Sequence, residues 1–396
     1  LIQQAHAAPL IAASMISVSI LAMAIITLLQ AQNWRIIGSG TFLPLSSSPN
    51  FLAQSMLAVQ IGGLPLLYGM TIVAGLAQGF FTLVIDVVRK YFPSEIAAMV
   101  LTLIGIELAT LGIKEYSSLQ NTVVYKSLLF YIVEFFPLAL IIIFERWGKG
   151  FFKLYGLVTA VVFSYISIYF LGFMDQTGLQ SINAAHWLFV PTLAAGGYHF
   201  AWSLVIPFVI GALLGTIKLC GAVIGFQELQ DTKWHTRDMR QVARANTADA
   251  LGPVLSGLLG TMGPNARSSR IALSLTTGVT TKYIAYPFAI ILLLLAFCPK
   301  IALVFVYMPQ SLNAAVLFVL GVTLFLSGVK MMLRHIKNFK QQLNIGISLA
   351  LGLSHSVYPD IYLQLPSYVQ SLTGSALALA TVCAVVLNFV FNLKKK

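Results

Sequence analysis

The chain reads as an all-α, polytopic membrane protein arranged as two inverted repeats of seven segments, and three observations lead there. Of its 396 residues, 58% are hydrophobic and 9% charged, against roughly 25% charged in soluble domains. Apolar runs of about 20 residues, the length a helix needs to cross the hydrocarbon core, recur from end to end. Two further segments are too short to cross as full helices and are rich in Gly, Pro and polar residues. Irregular backbone at membrane depth is tolerated only where it is buried in protein or lines a cavity.

In order, the predicted segments cover residues 9–30, 38–50, 62–86, 92–113, 124–145, 152–173, 203–226, 246–262, 266–281, 283–298, 311–331, 342–357 and 373–393. The second contains Gly38-Ser39-Gly40-Thr41-Phe42-Leu43-Pro44-Leu45, and the ninth contains Arg267-Ser268-Ser269-Arg270. Each is expected to begin as a short extended stretch and continue as a half-helix. The ninth also carries two cations in hydrocarbon, where charges are expensive and mark substrate paths.

Topology follows from the basic residues. Arg35, Arg89 and Lys90, Arg146 to Lys153, Lys233 to Arg244, Lys330 to Lys340 and Lys394 to Lys396 all fall on one face if every segment crosses. The positive-inside rule makes that face cytoplasmic, with the C-terminus inside and Leu1 outside. The net charge of +12 is thus spread over loops, which speaks against a nucleic-acid partner. Thirteen crossings are an odd number, and a helix preceding Leu1 is expected. The two broken segments then become the third of each seven-segment half. Paired broken helices in inverted repeats point to a transporter's binding site.

These residues carry a resemblance. Residues 38–44 resemble the glycine-rich third segment of the nucleobase–ascorbate transporter family, also called nucleobase:cation symporter-2. The stretch from Phe92-Pro93-Ser94-Glu95 to Leu103-Ile104-Gly105-Ile106-Glu107-Leu108 is similar to the family's fifth helix. Asp249-Ala250-Leu251-Gly252-Pro253 resembles its ninth, and Thr277-Gly278-Val279-Thr280-Thr281-Lys282 its Thr-Gly-Val-x-Ser-Arg signature. The likeness spans essentially the whole chain. It implies fourteen segments, with a core domain from 1–113 and 200–298 and a gate domain from 114–175 and 299–396. It also implies a purine, pyrimidine or ascorbate substrate, a coupling ion (H+ or Na+) with no other cofactor, elevator-type movement, a homodimer and an inner-membrane location.

Site residues transfer by position. The site is expected at Thr41, Phe42 and Leu43, at Ala222 and Phe226, and at Ser268, Ser269 and Arg270. The family's eighth helix carries a base-binding Glu three residues before a Gly, and here Ala222 occupies that place. The tenth segment's Gln/Glu-Asn-x-Gly is matched by Ser269-Arg270-Ile271-Ala272. A half-helix N-terminus with Arg270 favours an anion or an oxidised purine such as xanthine or urate; the alternative is that Arg270 pairs with a buried acceptor. Phe42 and Phe226 are stacking candidates for a flat heterocycle, with ordinary packing as the plainer reading.

Other groups complete the reading. Glu107, mid-helix, is either a proton or cation site or an ion-pair partner. Glu134 is assigned to structure, Asp86 to the interface, Glu228 and Asp231 to a solvated loop, and Asp249 to capping or pairing at the start of its segment. Cys220, Cys298, Cys383 and the scattered histidines lack disulfide or metal spacing. No Ser/His/Asp elbow, zinc motif or P-loop is present, so no enzyme activity is expected. The alternative function is a carrier or channel for small inorganic or organic anions, resembling sulfate permeases.

Overall fold

The computed structural model describes residues 8–47, 49–84, 94–122, 128–150, 155–170, 176–230, 238–266, 281–336, 338–363 and 376–392. Nearly all of it is helical, as composition demands. Five described helices are long and apolar enough to cross a membrane: Pro9–Ala31, Gln54–Leu83, Glu95–Tyr116, Trp202–Ile224 and Gln310–Arg334. Lys282–Ala296 and Pro299–Val306, bent by 76°, make a sixth if the pair is one span.

Helix α1 (Pro9–Ala31) opens on a proline, whose missing N–H costs nothing in a first turn. A loop leads to strand β1 (Leu45–Ser47) and then to α2 (Pro49–Leu83). This second helix is broken at Gly62 (φ −144°, ψ 17°) and Gly63 (φ 70°, ψ −163°), leaving a half-helix over residues 49–61 ahead of a long helix. The extended start of this segment is as expected, but its helical part runs to residue 61 rather than 50. Gln54, Ser55 and Gln60 make that stretch look like loop, yet Gln54 and Ser55 are buried among neighbouring helices and never face lipid.

The remaining helices are α3 (Ser94–Thr122), α4 (Leu128–Trp147), α5 (Gly156–Phe170), α6 (Gln176–Ala184), α7 (Trp202–Gln230) and α8 (Met239–Leu259). Strand β2 (Pro264–Ala266) follows, then α9 (Ala285–Ala296), α10 (Pro299–Val306), α11 (Gln310–His335), α12 (Phe339–Val357), α13 (Pro359–Leu363) and α14 (Ala376–Asn392). Helix α8 starts seven residues before the predicted segment at 246. Asp238 caps it by accepting from the backbone N–H groups of Arg240 and Gln241 at 2.9 and 3.2 Å. Asp249 is therefore mid-helix, and its predicted place at the segment start is corrected. Helices α6 and α10 were not anticipated; both are short, and Pro299 opens α10 just where the chain bends.

Packing sorts the helices into two groups. In the first, α2 lies against α7 and α8, and α1 against α8, α9 and α10. Phe51, Leu67, Tyr68, Met70 and Phe208 fill the space between α2 and α7. In the second, α3 is pressed against α11, and α12 against α14. A Cβ on Gly105, Gly321 or Gly328 would overlap the backbone or side chain of the facing helix. This is small-residue packing that brings helix backbones together in membranes. Contact between the groups is narrower, with Ile210 and Leu214 of α7 meeting Leu103, Ile345 and Leu377.

Candidate functional site

The two broken segments meet. Strands β1 and β2 pair antiparallel, with Leu45 opposite Ala266, Ser46 opposite Asn265 and Ser47 opposite Pro264. Extended backbone in hydrocarbon must find hydrogen-bond partners inside the protein, and here each segment supplies the other's. The Leu45 N–H turns to Thr27 Oγ1 of α1 at 3.3 Å. Pro49 then starts the half-helix, whose first-turn N–H groups and positive dipole end lie beside the strand crossing.

A buried polar cluster fixes this crossing. Asp249, 0% exposed in the middle of α8, accepts from the Ala266 backbone N–H at 2.7 Å through Oδ1. Its Oδ2 accepts from Asn265 Nδ2 at 2.9 Å and from Gln78 Nε2 at 2.7 Å. Asn246 Nδ2 donates to the Gln78 carbonyl at 3.0 Å and to Thr82 Oγ1 at 2.8 Å. Strand β2 is thus bolted to α8 and α2 by a carboxylate with three N–H donors. Asn265 Oδ1 is buried and accepts no hydrogen bond among the described residues. Gln78, Asn246 and Asn265 were missed by sequence reasoning; the signal was a polar set within apolar segments, scattered over almost 190 positions of chain.

The expected site residues divide into three sets. Thr41, Phe42 and Leu43 precede β1 and are buried. Thr41 Oγ1 is 2.8 Å from Ser39 Oγ. The Phe42 ring meets Phe288 edge-on, centroids 5.4 Å apart, beside Ala31 and Ala285. Leu43 packs with Leu219, Val223, Val242 and Ala245. The loop before them is pinned by the Gly38 N–H on the Arg244 carbonyl (3.1 Å) and by Gln241 Nε2 on the Ser39 carbonyl (2.7 Å). At φ 94°, a Cβ on Gly38 would run into the Gln32 carbonyl, so only glycine suits this turn. Ala222 and Phe226 of α7 are buried, and Val223 between them touches Leu43. The structure therefore joins the loop and α7 and puts the strand crossing a few residues further on. Ser268, Ser269 and Arg270 lie outside the described residues, as does Arg267; Ala266 of β2 leads directly into them.

Glu107 is apart from this crossing. It lines a cleft of about 470 Å³ between the half-helix, α7, α3, α12 and α14. No hydrogen bond or ion pair engages it among the described residues. A second cavity of about 380 Å³ lies on the α1 side of the crossing, where Ser19, Ser47 and Thr261 interrupt an apolar wall that includes Met15, Met23 and Met262. The Glu134 side chain, Asp86 and Asp231 lie outside the described residues, as does the Glu228 side chain.

A bundle of membrane-spanning helices around two paired, broken segments is the architecture of a transporter domain. Its fold is similar to the transmembrane domain of a cyanobacterium bicarbonate transporter, BicA, with a TM-score of 0.56 at 13% identity over 97% of this chain and 94% of that one. Residues 1–361 match the model described as the Permease family and labelled Xan_ur_permease. The chain belongs to that family, and is an integral, multi-pass membrane protein. Among its relatives, the putative purine permease CPE0397 of Clostridium perfringens is 25% identical over 96% of this chain and 82% of its own length. The uric acid transporter UacT of Escherichia coli is 26% identical, covering 96% of this chain and 79% of its own. The xanthine permease of Bacillus subtilis is also 26% identical, covering 96% and 86%.

Proposed function

We propose that the protein is a secondary-active carrier of oxidised purines, xanthine or urate, working by elevator-type alternating access. The observation that carries this reading is the crossing of β1 and β2, held by Asp249 next to a half-helix N-terminus. It supports the reading because a planar purine dione presents both carbonyl acceptors and ring N–H donors. Half-helix N–H groups and Arg270 suit its carbonyls or its anion, and the unpaired Asn265 Oδ1 suits a ring N–H. The helices of the first packing group form the moving core with the crossing inside it, and those of the second form the gate, which shifts α3 from the core to the gate and α10 from the gate to the core relative to the boundaries expected from the sequence. A cytoplasmic C-terminus fits the distribution of Lys and Arg; the resemblance to the nucleobase transporters adds a homodimer in the inner membrane and uptake driven by a proton or sodium gradient. The names of the relatives favour purines over the anion-carrier alternative.

The test is counterflow in proteoliposomes: labelled xanthine should accumulate transiently against unlabelled xanthine or urate inside, and not against sulfate or bicarbonate. Exchange of sulfate or bicarbonate without xanthine exchange would reverse the assignment, and resolved single-channel currents in planar bilayers would exclude a carrier.

A further inference from the structure

The cleft beside Glu107 holds a chemistry that the strand crossing does not. Its walls are the half-helix and α7 on one side and α3, α12 and α14 on the other. Gln54, only 3% exposed, spends its amide N–H on the Pro207 carbonyl at 3.2 Å. That bond fixes the amide's orientation, and Gln54 Oε1 is buried without a donor among the described residues. Thr110 Oγ1 gives its proton to the Ile106 carbonyl at 2.8 Å. Glu107, Gln54 and Thr110 line the cleft together with Gln60, Ser356, Lys114 and His355, and among the described residues neither the Glu107 carboxylate nor Gln54 Oε1 accepts a hydrogen bond. An unpaired carboxylate beside an unpaired amide oxygen favours a cation, since a buried oxygen left unpaired is costly. The other charged or titratable groups lining the cleft are Lys114, seven residues and so about 10 Å further along α3, and His355 of α12.

Helix α3 cannot turn to hide this carboxylate. Gly105 and Gly112 are locked against the α11 backbone, which keeps residues 107, 110 and 114 on the cleft side. If the half-helix slides past α3, as the transporter reading requires, a bare carboxylate would be dragged between apolar surfaces. That is expensive, and a neutralised one is not. We propose that Glu107 is the coupling site, taking a monovalent cation, a proton or Na+, from this cleft with Gln54 Oε1 as second acceptor. For a proton, a new O–H bond forms on the carboxylate and the charge disappears; for Na+, the ion is held between the oxygens. The passage of the half-helix waits on that neutralisation.

The test has a substrate-free arm and a transport arm, both on the full chain. Purified protein should gain about 2–4 °C in Tm from Na+ over N-methylglucamine at equal ionic strength, or from acidification between pH 8 and 5. Glu107→Gln should abolish whichever response the wild type shows, and His355→Gln should keep it. In proteoliposomes, the ratio of gradient-driven xanthine uptake to xanthine counterflow should fall about 30-fold in Glu107→Gln and about 5-fold in Gln54→Leu. Glu115→Gln, whose carboxylate accepts from Gln310 at 3.1 Å, should leave that ratio alone. A wild type with neither response, or a Glu107→Gln protein that keeps both, overturns the proposal. If Glu107→Gln does not insert, Gln54→Leu is read in the same two arms. Absence of xanthine counterflow in a wild type that passes the first arm would defeat the purine reading and leave the cation site standing.

Discussion

Asp249 and Glu107 both sit at membrane depth, and their surroundings are opposite. Asp249 has both oxygens occupied, by the backbone of Ala266 and the amides of Asn265 and Gln78. Glu107 has no partner among the described residues and faces a cleft. A carboxylate with three short N–H donors is held in one place and has little reason to exchange anything. One that lines a cleft without a partner among the described residues is suited to bind and release. The comparison teaches that intramembrane charge can have two uses in one bundle: the first immobilises the strand crossing, and the second, as proposed, takes up an ion. The cost of isolating a charge in hydrocarbon is offset by hydrogen bonds in one case and, as proposed, by transient neutralisation in the other.

Breaking the fixed carboxylate has the largest expected effect. Asp249→Leu strands three N–H donors in the interior, each worth about 1–3 kcal/mol when left unmade, so a loss of about 3 kcal/mol or more is expected. Strand β2 would come loose from α8, and xanthine counterflow should fall below detection while Tm drops by several degrees. Asp249→Asn should be nearly as damaging, because one acceptor oxygen becomes an NH₂ that faces donors. If either variant transports normally, Asp249 does not hold the crossing, and the contrast with Glu107 collapses.

How much of this was legible in the sequence follows from the range of the interactions involved. The class and the extended start of the first broken segment were readable, because Gly38, Gly40 and Pro44 interrupt an apolar run locally; the extended stretch expected within 266–281 appears as Pro264–Ala266, largely ahead of that span. That the segments belong together was readable from their matching places in two halves. The register was not: nothing local distinguishes Thr41, Phe42 and Leu43, which pack against α7, α8 and α9, from Leu45, Ser46 and Ser47, which pair with β2. The role of Asp249 was hidden for a similar reason. Its partner Gln78 lies 171 residues away, and a lone Asp near a segment boundary looks like a cap. The half-helix over residues 49–61 was hidden by its own polarity, which makes sense only once the cleft is seen.

The next effect in size concerns the residues that follow β2. Arg270→Ala should weaken binding of urate or the xanthine anion by about 10-fold, the worth of one charge-assisted hydrogen bond at about 1.5 kcal/mol. Affinity for a neutral purine should change less, and Arg270→Lys should recover only part, since an ammonium lacks the planar fork. If Arg270→Ala leaves the affinity for urate and the xanthine anion unchanged, the arginine pairs with the protein, and the fixed carboxylate's crossing would owe nothing of its ligand binding to it.

The smallest effect tests whether the break in α2 belongs to the crossing or to the cleft. Gly63 sits at φ 70°, ψ −163°, a region open essentially to glycine alone. A Cβ there would meet only Pro65 Cδ at 3.7 Å, so the cost of Gly63→Ala is backbone strain without a clash, about 1 kcal/mol. A Tm lower by a few degrees is expected, with the affinity for xanthine in counterflow retained, because the strand pair and its Asp249 anchor lie at the other end of the half-helix. The gradient-driven rate should fall instead: a half-helix that no longer leaves α2 at the same angle presents Gln54 differently to the cleft. If xanthine affinity drops and the gradient response is spared, the break serves the crossing, and the half-helix is to be assigned to the fixed carboxylate's side of the molecule.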